Sequence, residues 1–226
     1  MVKTEKIQED FDHIAILLEK EGEQIGPYDD FVLKFVPNPC KHAMEVGCGT
    51  GTFTRLLAKQ AKQVTAIDLS SEMMRVAQSR STNYTNIDYK VGDFLDLDLK
   101  LAHFDCIVMI ATLHHLPNEQ VLKRVKQLLA PNGVLILHDI LRPEGKFEKL
   151  ANLVRVPVSL FSRYFRTGKP QVSWQLRKAW AEHGKDEYYL SKREVKAMSN
   201  AHLKGSYTKF HLLWRYTVIW RNQSTA

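Results

Sequence analysis

Glu45-Val46-Gly47-Cys48-Gly49-Thr50-Gly51 follows a short apolar run, residues 42–46, and opens a segment in which Phe53, Leu56, Leu57 and Ala61 recur at helical spacing. A glycine cluster between a strand and a helix is the context in which such a loop acquires chemical meaning. Without Cβ atoms, Gly47, Gly49 and Gly51 let the backbone turn tightly and let a ligand approach it closely. The loop falls at the carboxyl end of a strand, where open parallel sheets bind nucleotides. A purely structural turn is the competing reading. Asp68 weighs against it. It ends the next apolar run, residues 64–67, 17 residues beyond Gly51, where a carboxylate can accept both hydroxyls of a ribose. Gly92-Asp93-Phe94 follows a third strand-like run, residues 87–91. An acid there can accept from an exocyclic adenine amine while the next backbone N–H donates to the ring.

Outward from these loops, strand-like runs alternate with amphipathic helices from residue 41 to residue 139. Residues 52–61 are expected as one helix. Ser70 is placed to cap the next, whose inner face is Met73, Met74, Val76 and Ala77. Residues 104–111 form a fourth strand. Val121, Leu122, Val125, Leu128 and Leu129 make a helical stripe after Pro117, and Pro131-Asn132-Gly133 turns the chain into a fifth strand, residues 134–137. Strands separated by helices mean βαβ units with right-handed crossovers, hence a doubly wound, Rossmann-like α/β core. Before it, Phe11, Ile14, Ala15 and Leu18 share one helical face, and Phe31, Val32 and Phe35 another. After it, residues 143–190 lack strand alternation and hold Phe147, Phe161, Tyr164, Phe165, Trp174, Trp180, Tyr188 and Tyr189, as expected of a helical insertion. Ser191-Lys192-Arg193-Glu194 has capping-box spacing. Residues 207–213 and 215–221, rich in β-branched and aromatic side chains, are expected to pair as a hairpin that makes the sheet mixed.

The 226 residues are expected to form a single domain: N-terminal helices (1–38), a cofactor-binding core (39–140), a helical lid (141–200) and a terminal strand pair (201–226). Hydrophobic residues at 44% and charged ones at 25% exclude a mainly disordered chain. No apolar run of about 18 residues appears, and the first residues lack the apolar core of a signal peptide. Three cysteines, Cys40, Cys48 and Cys106, are too few and too scattered for a disulfide framework or a zinc site. The expectation is therefore a soluble cytoplasmic protein with no bound metal. Charge is unevenly placed: residues 1–140 hold 15 Lys/Arg against 19 Asp/Glu, and residues 141–226 hold 17 against 6, a surplus of +11. A basic surface of this kind attracts anionic ligands, nucleic acid or membrane; a solvated, lysine-rich helical face explains it equally well.

The glycine loop, Asp68-Leu69-Ser70 and Gly92-Asp93-Phe94 occur in the order found in the class I S-adenosylmethionine-dependent methyltransferases, which this chain resembles strongly over residues 40–140. Two further segments carry the likeness. Ala111-Thr112-Leu113-His114-His115-Leu116 looks like the H-H-L exit of the small-molecule and quinone-type branch. Leu129-Ala130-Pro131-Asn132-Gly133-Val134-Leu135 resembles the L-x-P-G-G-x-L turn, with Asn132 in place of the first glycine. The resemblance implies a seven-stranded sheet of order 3-2-1-4-5-7-6 with strand seven antiparallel, and S-adenosyl-L-methionine as cofactor. By position it implies that Gly47, Cys48, Gly49 and Gly51 cradle the methionine moiety, with Glu45 organising the loop. Asp68 would hold the ribose, Leu69 and Met73 would pack on the adenine, and Asp93 with the Phe94 amide would read its edge. Backbone carbonyls at Met109, Ile110 and Ala111 would take the methionyl ammonium.

Methyl transfer from a sulfonium is an in-line displacement with a neutral leaving group, so positioning and exclusion of water can supply much of the catalysis. A base is needed only where the acceptor must lose a proton, and His114 and His115 are the candidates. The expected acceptor is a small apolar or anionic molecule under the aromatic and basic insertion, which also suits contact with a membrane surface. An RNA acceptor is the alternative that the basic C-terminal region raises, and a non-catalytic cofactor-binding protein is another. A nicotinamide oxidoreductase fits less well, because Thr52 stands where its third glycine is expected. The oligomeric state is not legible.

Overall fold

Seven strands form a single sheet in the computed structural model, which describes residues 2–22, 25–144, 151–169 and 171–223. They are β1 (Cys40–Val46), β2 (Ala61–Asp68), β3 (Ile87–Val91), β4 (Phe104–Ile110), β5 (Leu129–Ile140), β6 (Tyr207–His211) and β7 (Arg215–Arg221). Their order is β3-β2-β1-β4-β5-β7-β6. Strands β1 to β5 are parallel, while β7 pairs antiparallel with both β5 and β6. The mixed sheet expected from the sequence is therefore present, with the expected order.

The middle strands are apolar nearly throughout because both their faces are covered. On one face Met44, Ile107 and Leu135 pack with Val121, Leu122 and Val125 of α5 (Asn118–Leu128). On the other, Ala43, Val108 and Ile136 pack with Phe53 and Leu57 of α3 (Thr52–Leu57) and Val32 of α2 (Asp29–Leu33). Each fully buried aliphatic side chain contributes about 1.5–3 kcal/mol. This double layer fixes where the strand ends, and so the loops that follow them, must lie.

Helix α4 (Ser71–Ser79) starts where expected: the Ser70 side chain accepts from the Met73 amide at 3.0 Å, and Met73, Met74, Val76 and Ala77 are all buried. Ahead of the sheet, α1 (Val2–Glu21) lays Ile14, Ala15 and Leu18 against Met73 and against Leu176 and Ala179 of α7 (Trp174–His183). The insertion also contains α6 (Asn152–Thr167) and leads to α8 (Lys192–His202), which opens with the expected reciprocal capping box between Ser191 and Glu194. Phe147, counted among the insertion's aromatics, lies outside the described residues. No helix among the described residues is long and apolar enough to cross a membrane.

Four local features differ from the sequence reading. The helix expected over 52–61 ends at Leu57, and Ala61 already pairs with Cys40 at the start of β2. A buried alanine suits a helix face and a strand equally, and pairing along the full length of β1 decides for the strand. Leu129, placed on the α5 stripe, begins β5 opposite Phe104. The turn at Pro131-Asn132-Gly133 is a bulge inside β5. The two steps from Phe104 to Cys106 stand opposite the five from Leu129 to Val134, and Asn132 sits there at φ 62°. Asparagine is among the residues that tolerate this left-handed conformation, which accounts for its presence where the family resemblance leads one to expect glycine. The strand expected over 207–213 stops at His211.

Candidate active site

The carboxyl ends of β1, β2, β3 and β4 open on a cavity of about 400 Å³. Parallel pairing brings the three loops together. Asp68 stands level with Val91, and the Gly92 amide donates to the Asp68 carbonyl at 2.9 Å, so Asp93 follows Asp68 across adjoining strand ends. Glu45, Gly47, Cys48, Gly49, Asp68, Leu69, Met73, Asp93, Phe94 and Ile110 all contribute to the wall.

Asp68 is the hinge of this arrangement. Its carboxylate accepts from the Gly49 amide at 2.7 Å and from the Ser70 amide at 3.0 Å, tying the glycine loop to the start of α4. Burial pushes its pKa up and the two amides pull it back only in part. Gly49 holds φ 51°, and a Cβ there would meet nothing nearer than the Met73 sulfur at 4.0 Å. That open side is where a ligand can reach the backbone. Gly51, though part of the motif, is not on the cavity wall. A Cβ on it would lie 2.8 Å from the Tyr89 hydroxyl and 2.9 Å from the Arg55 guanidinium, so this glycine serves packing beneath the loop.

Glu45 is buried, and its Oε2 accepts from the Thr54 hydroxyl at 2.5 Å. Burial raises its pKa to about 8, and the nearby carboxylates of Asp29 and Asp68 act in the same direction. The Asp93 carboxylate accepts from the Leu95 amide at 2.8 Å, which fixes the turn after β3. Phe94 is buried, with the Arg124 guanidinium 5.5 Å from its ring centre. Burial also pushes the Cys48 thiol pKa well up, which fits its reading as a small loop residue rather than a nucleophile.

Met109, expected to act through its backbone carbonyl, turns its side chain elsewhere. Its side chain is buried in the sheet core, level with Val46 and Leu137, and does not line the cavity, whereas Ile110 does. Beyond it Ala111 takes φ 51°, and the Thr112 hydroxyl donates to the Ile110 carbonyl at 2.9 Å.

The two histidines separate. His115 lines the cavity, its Nδ1 3.0 Å from Glu187 Oε2 and its ring 5.3 Å from that of Phe11. His114 instead lines a smaller neighbouring cavity of about 190 Å³. Its Nδ1 is 2.7 Å from Asp139 Oδ1, and its backbone amide donates to Asp139 Oδ2 at 3.1 Å. No metal was expected; His114, His115 and Glu187 do bring three potential ligand atoms within 4.8 Å of one another, but both rings already face carboxylates.

Trp180 of α7, expected in the lid, and Phe11, expected on an N-terminal helical face, both reach the cavity wall, and Ile7 of α1 and Arg215 of β7, which the sequence did not mark, complete it. Asp139 had one signal, an acid two residues past the apolar run 134–137. Glu187 and Arg215 had none.

Known proteins share this sequence pattern and fold. A family described as methyltransferase domain matches residues 44–137. The chain is 32% identical over 121 residues to a ubiquinone biosynthesis O-methyltransferase of Xanthomonas campestris, covering 52% of this chain and 51% of that protein. It is 27% identical over 163 residues to an uncharacterized methyltransferase-like protein of Schizosaccharomyces pombe, covering 71% and 60%. The chain thus spans about half the length of the curated relatives it matches. Among solved structures, a Pyrococcus horikoshii protein superposes with TM-score 0.60 at 17% identity, covering 86% of this chain and 87% of that one. The N-methyltransferase NodS of Bradyrhizobium japonicum, in complex with S-adenosyl-L-homocysteine, superposes with TM-score 0.57 at 16% identity, covering 87% and 86%. Sheet order, ordered motifs and family match agree: residues 44–137 are a methyltransferase domain.

Proposed function

We propose that this chain, working as one catalytic unit in the cytoplasm, transfers a methyl group from S-adenosyl-L-methionine to a small-molecule acceptor. The observation that carries the reading is the single cavity that joins the Gly49–Asp68 bond and Asp93 to His115 and the apolar side chains of α1 and α7. Three free, buried cysteines suit a reducing compartment.

Bound S-adenosyl-L-methionine supplies a methyl group on a sulfonium, displaced in line to leave a neutral thioether. The chain's part is to hold and to enclose. Gly49 leaves its backbone open to the donor, and Asp68 presents a fixed carboxylate to the ribose. Asp93 and the Phe94 amide face the adenine edge, and Leu69 and Met73 its faces. Phe11 and Trp180 keep water from the far side. Where the acceptor carries a proton that must leave, His115 takes it, with Glu187 steadying the ring; His114, turned to Asp139 beside a different cavity, does not.

Isothermal titration with S-adenosylhomocysteine tests the donor site, and absence of binding removes the reading. With a labelled methyl donor and a panel of phenolic and amine acceptors, His115→Gln is expected to lower turnover about 10²–10⁴-fold while S-adenosylhomocysteine affinity stays within twofold. Unchanged turnover would discard the base.

The proposal extends to a membrane surface as the place where acceptor is met. Helix α6 is inverted: Leu153, Val154, Val158, Phe161 and Phe165 face outward, the two phenylalanines 67% and 69% exposed, while Arg155 is buried. An apolar helical face beside a cationic surface suits the interface of an anionic bilayer. Co-sedimentation with phosphatidylglycerol-rich vesicles is expected to retain the protein. Replacing Phe161 and Phe165 together by glutamate is expected to reduce the bound fraction at least tenfold, since each ring contributes about 1.5–3 kcal/mol when buried, and to leave S-adenosylhomocysteine binding unchanged. Wild-type protein that stays with the supernatant would dismiss the membrane.

A further inference from the structure

Arg215 is the one lysine or arginine among the described residues lining the cavity. It opens β7, opposite Ile140 at the end of β5, and so stands three strands away from β1 and its glycine loop, with β4 and β5 between. Its Nη1 is buried with no hydrogen-bond partner, and among the described residues no carboxylate forms an ion pair with its guanidinium. The groups around it are Asp139, Tyr189, Asp29 and Tyr28. The two acids are already engaged, Asp139 with His114 and Asp29 with the Gly26 amide at 2.8 Å. Burial works against the charge, and these acids at longer range work for it.

A guanidinium stays protonated in proteins and offers five donors in a plane, the geometry that matches a carboxylate or a phosphate. Left unpaired beside an apolar cavity it is costly, and an anion brought by a ligand removes that cost. We propose that Arg215 is the anion-binding residue of the acceptor site, and that the acceptor is an apolar molecule bearing one carboxylate or phosphate. This rests on the methyltransferase reading above. The donor also ends in a carboxylate, but the residues expected to hold the donor lie at the ends of β1, β2, β3 and β4, whereas Arg215 lies on β7, separated from β4 by β5. Phe11, Leu116 and Trp180 supply the apolar part of the wall.

The test titrates benzoate, phenyl phosphate and uncharged benzyl alcohol into the full chain, with and without S-adenosylhomocysteine, followed by chemical-shift changes. In the wild type the two anions are expected to bind at least tenfold more tightly than the alcohol. In Arg215→Met that preference falls to within twofold, and Arg215→Lys, which keeps the charge and controls for folding, retains part of it. Anions that bind no better than benzyl alcohol in the wild type, or a preference that survives in Arg215→Met, would overturn the proposal. A second arm compares S-adenosylhomocysteine with 5′-methylthioadenosine, which lacks the carboxylate. A tenfold loss in Arg215→Met confined to the former assigns Arg215 to the donor and likewise overturns the acceptor claim. Loss of S-adenosylhomocysteine binding in the wild type, with the anion preference intact, would instead remove the methyltransferase reading alone.

Discussion

Asp68→Ala is expected to weaken S-adenosylhomocysteine binding at least a hundredfold while leaving the protein folded. The carboxylate holds the Gly49 and Ser70 amides at 2.7 and 3.0 Å. Hydrogen bonds to a charged group are each worth about 1.5–3 kcal/mol. Removing both frees the glycine loop from α4 and takes away the acceptor proposed for the ribose. A hundredfold corresponds to about 2.7 kcal/mol, within reach of these losses even before any ribose contact is counted. Global stability should change less, because burial disfavours the Asp68 charge and its removal relieves that penalty. Asp68→Asn keeps one acceptor oxygen and should fall between. Titration calorimetry and a thermal melt on each variant separate the two effects. An affinity within threefold of wild type would show that Asp68 is no part of the donor site.

Glu45→Gln is expected to stabilise the ligand-free protein in alkali and to make little difference in acid. The folded-state pKa of Glu45 is raised to about 8 from an ordinary 4.5. The folded chain therefore binds this proton more tightly than the unfolded chain does. Its contribution is fully present below about pH 4.5, is lost progressively as pH rises towards 8, and is gone above that. One pKa unit corresponds to about 1.36 kcal/mol, so the difference between variant and wild type should grow by roughly 2–4 kcal/mol between pH 5 and pH 9. Glutamine keeps an acceptor for the Thr54 hydroxyl and removes the titration. Asp29 and Asp68, also raised by burial, tilt both proteins alike, so the informative quantity is the difference between the two urea unfolding curves at each pH. The same difference at both pH values would refute the prediction.

Much of the fold was legible because the βαβ core writes itself into local pattern. Strands β4 and β5 carry apolar runs buried on both faces, Cys106–Met109 and Val134–Leu137, and the helices between strands carry one apolar stripe. Ser70 and Ser191 mark helix starts through chemistry confined to three or four residues. The reading slipped where the pattern is degenerate. Ala61 and Leu129 suit a strand or the last turn of a helix, and only pairing with Cys40 and Phe104 settles them. Met109 is expected to act through its backbone carbonyl and Gly51 as part of the glycine motif, and neither expectation says where the rest of the residue packs. A strand alternates its faces, and the backs of loops need packing too, so both point away from the cavity.

The order of motifs from Glu45 to Asp93 by itself pointed to the parallel part of the sheet and to the methyltransferase domain matched over residues 44–137, because those residues sit at the ends of successive short βα units and their spacing is their geometry. The far end of the cavity, proposed above for the acceptor, was decided by tertiary structure alone. His115 meets Glu187 across 72 positions, and Arg215 reaches the cavity from a strand that pairs antiparallel after every helix has been laid down. Contacts of that length leave no periodic trace in a chain, since side-chain pattern records which face is buried and not which distant partner it is buried against.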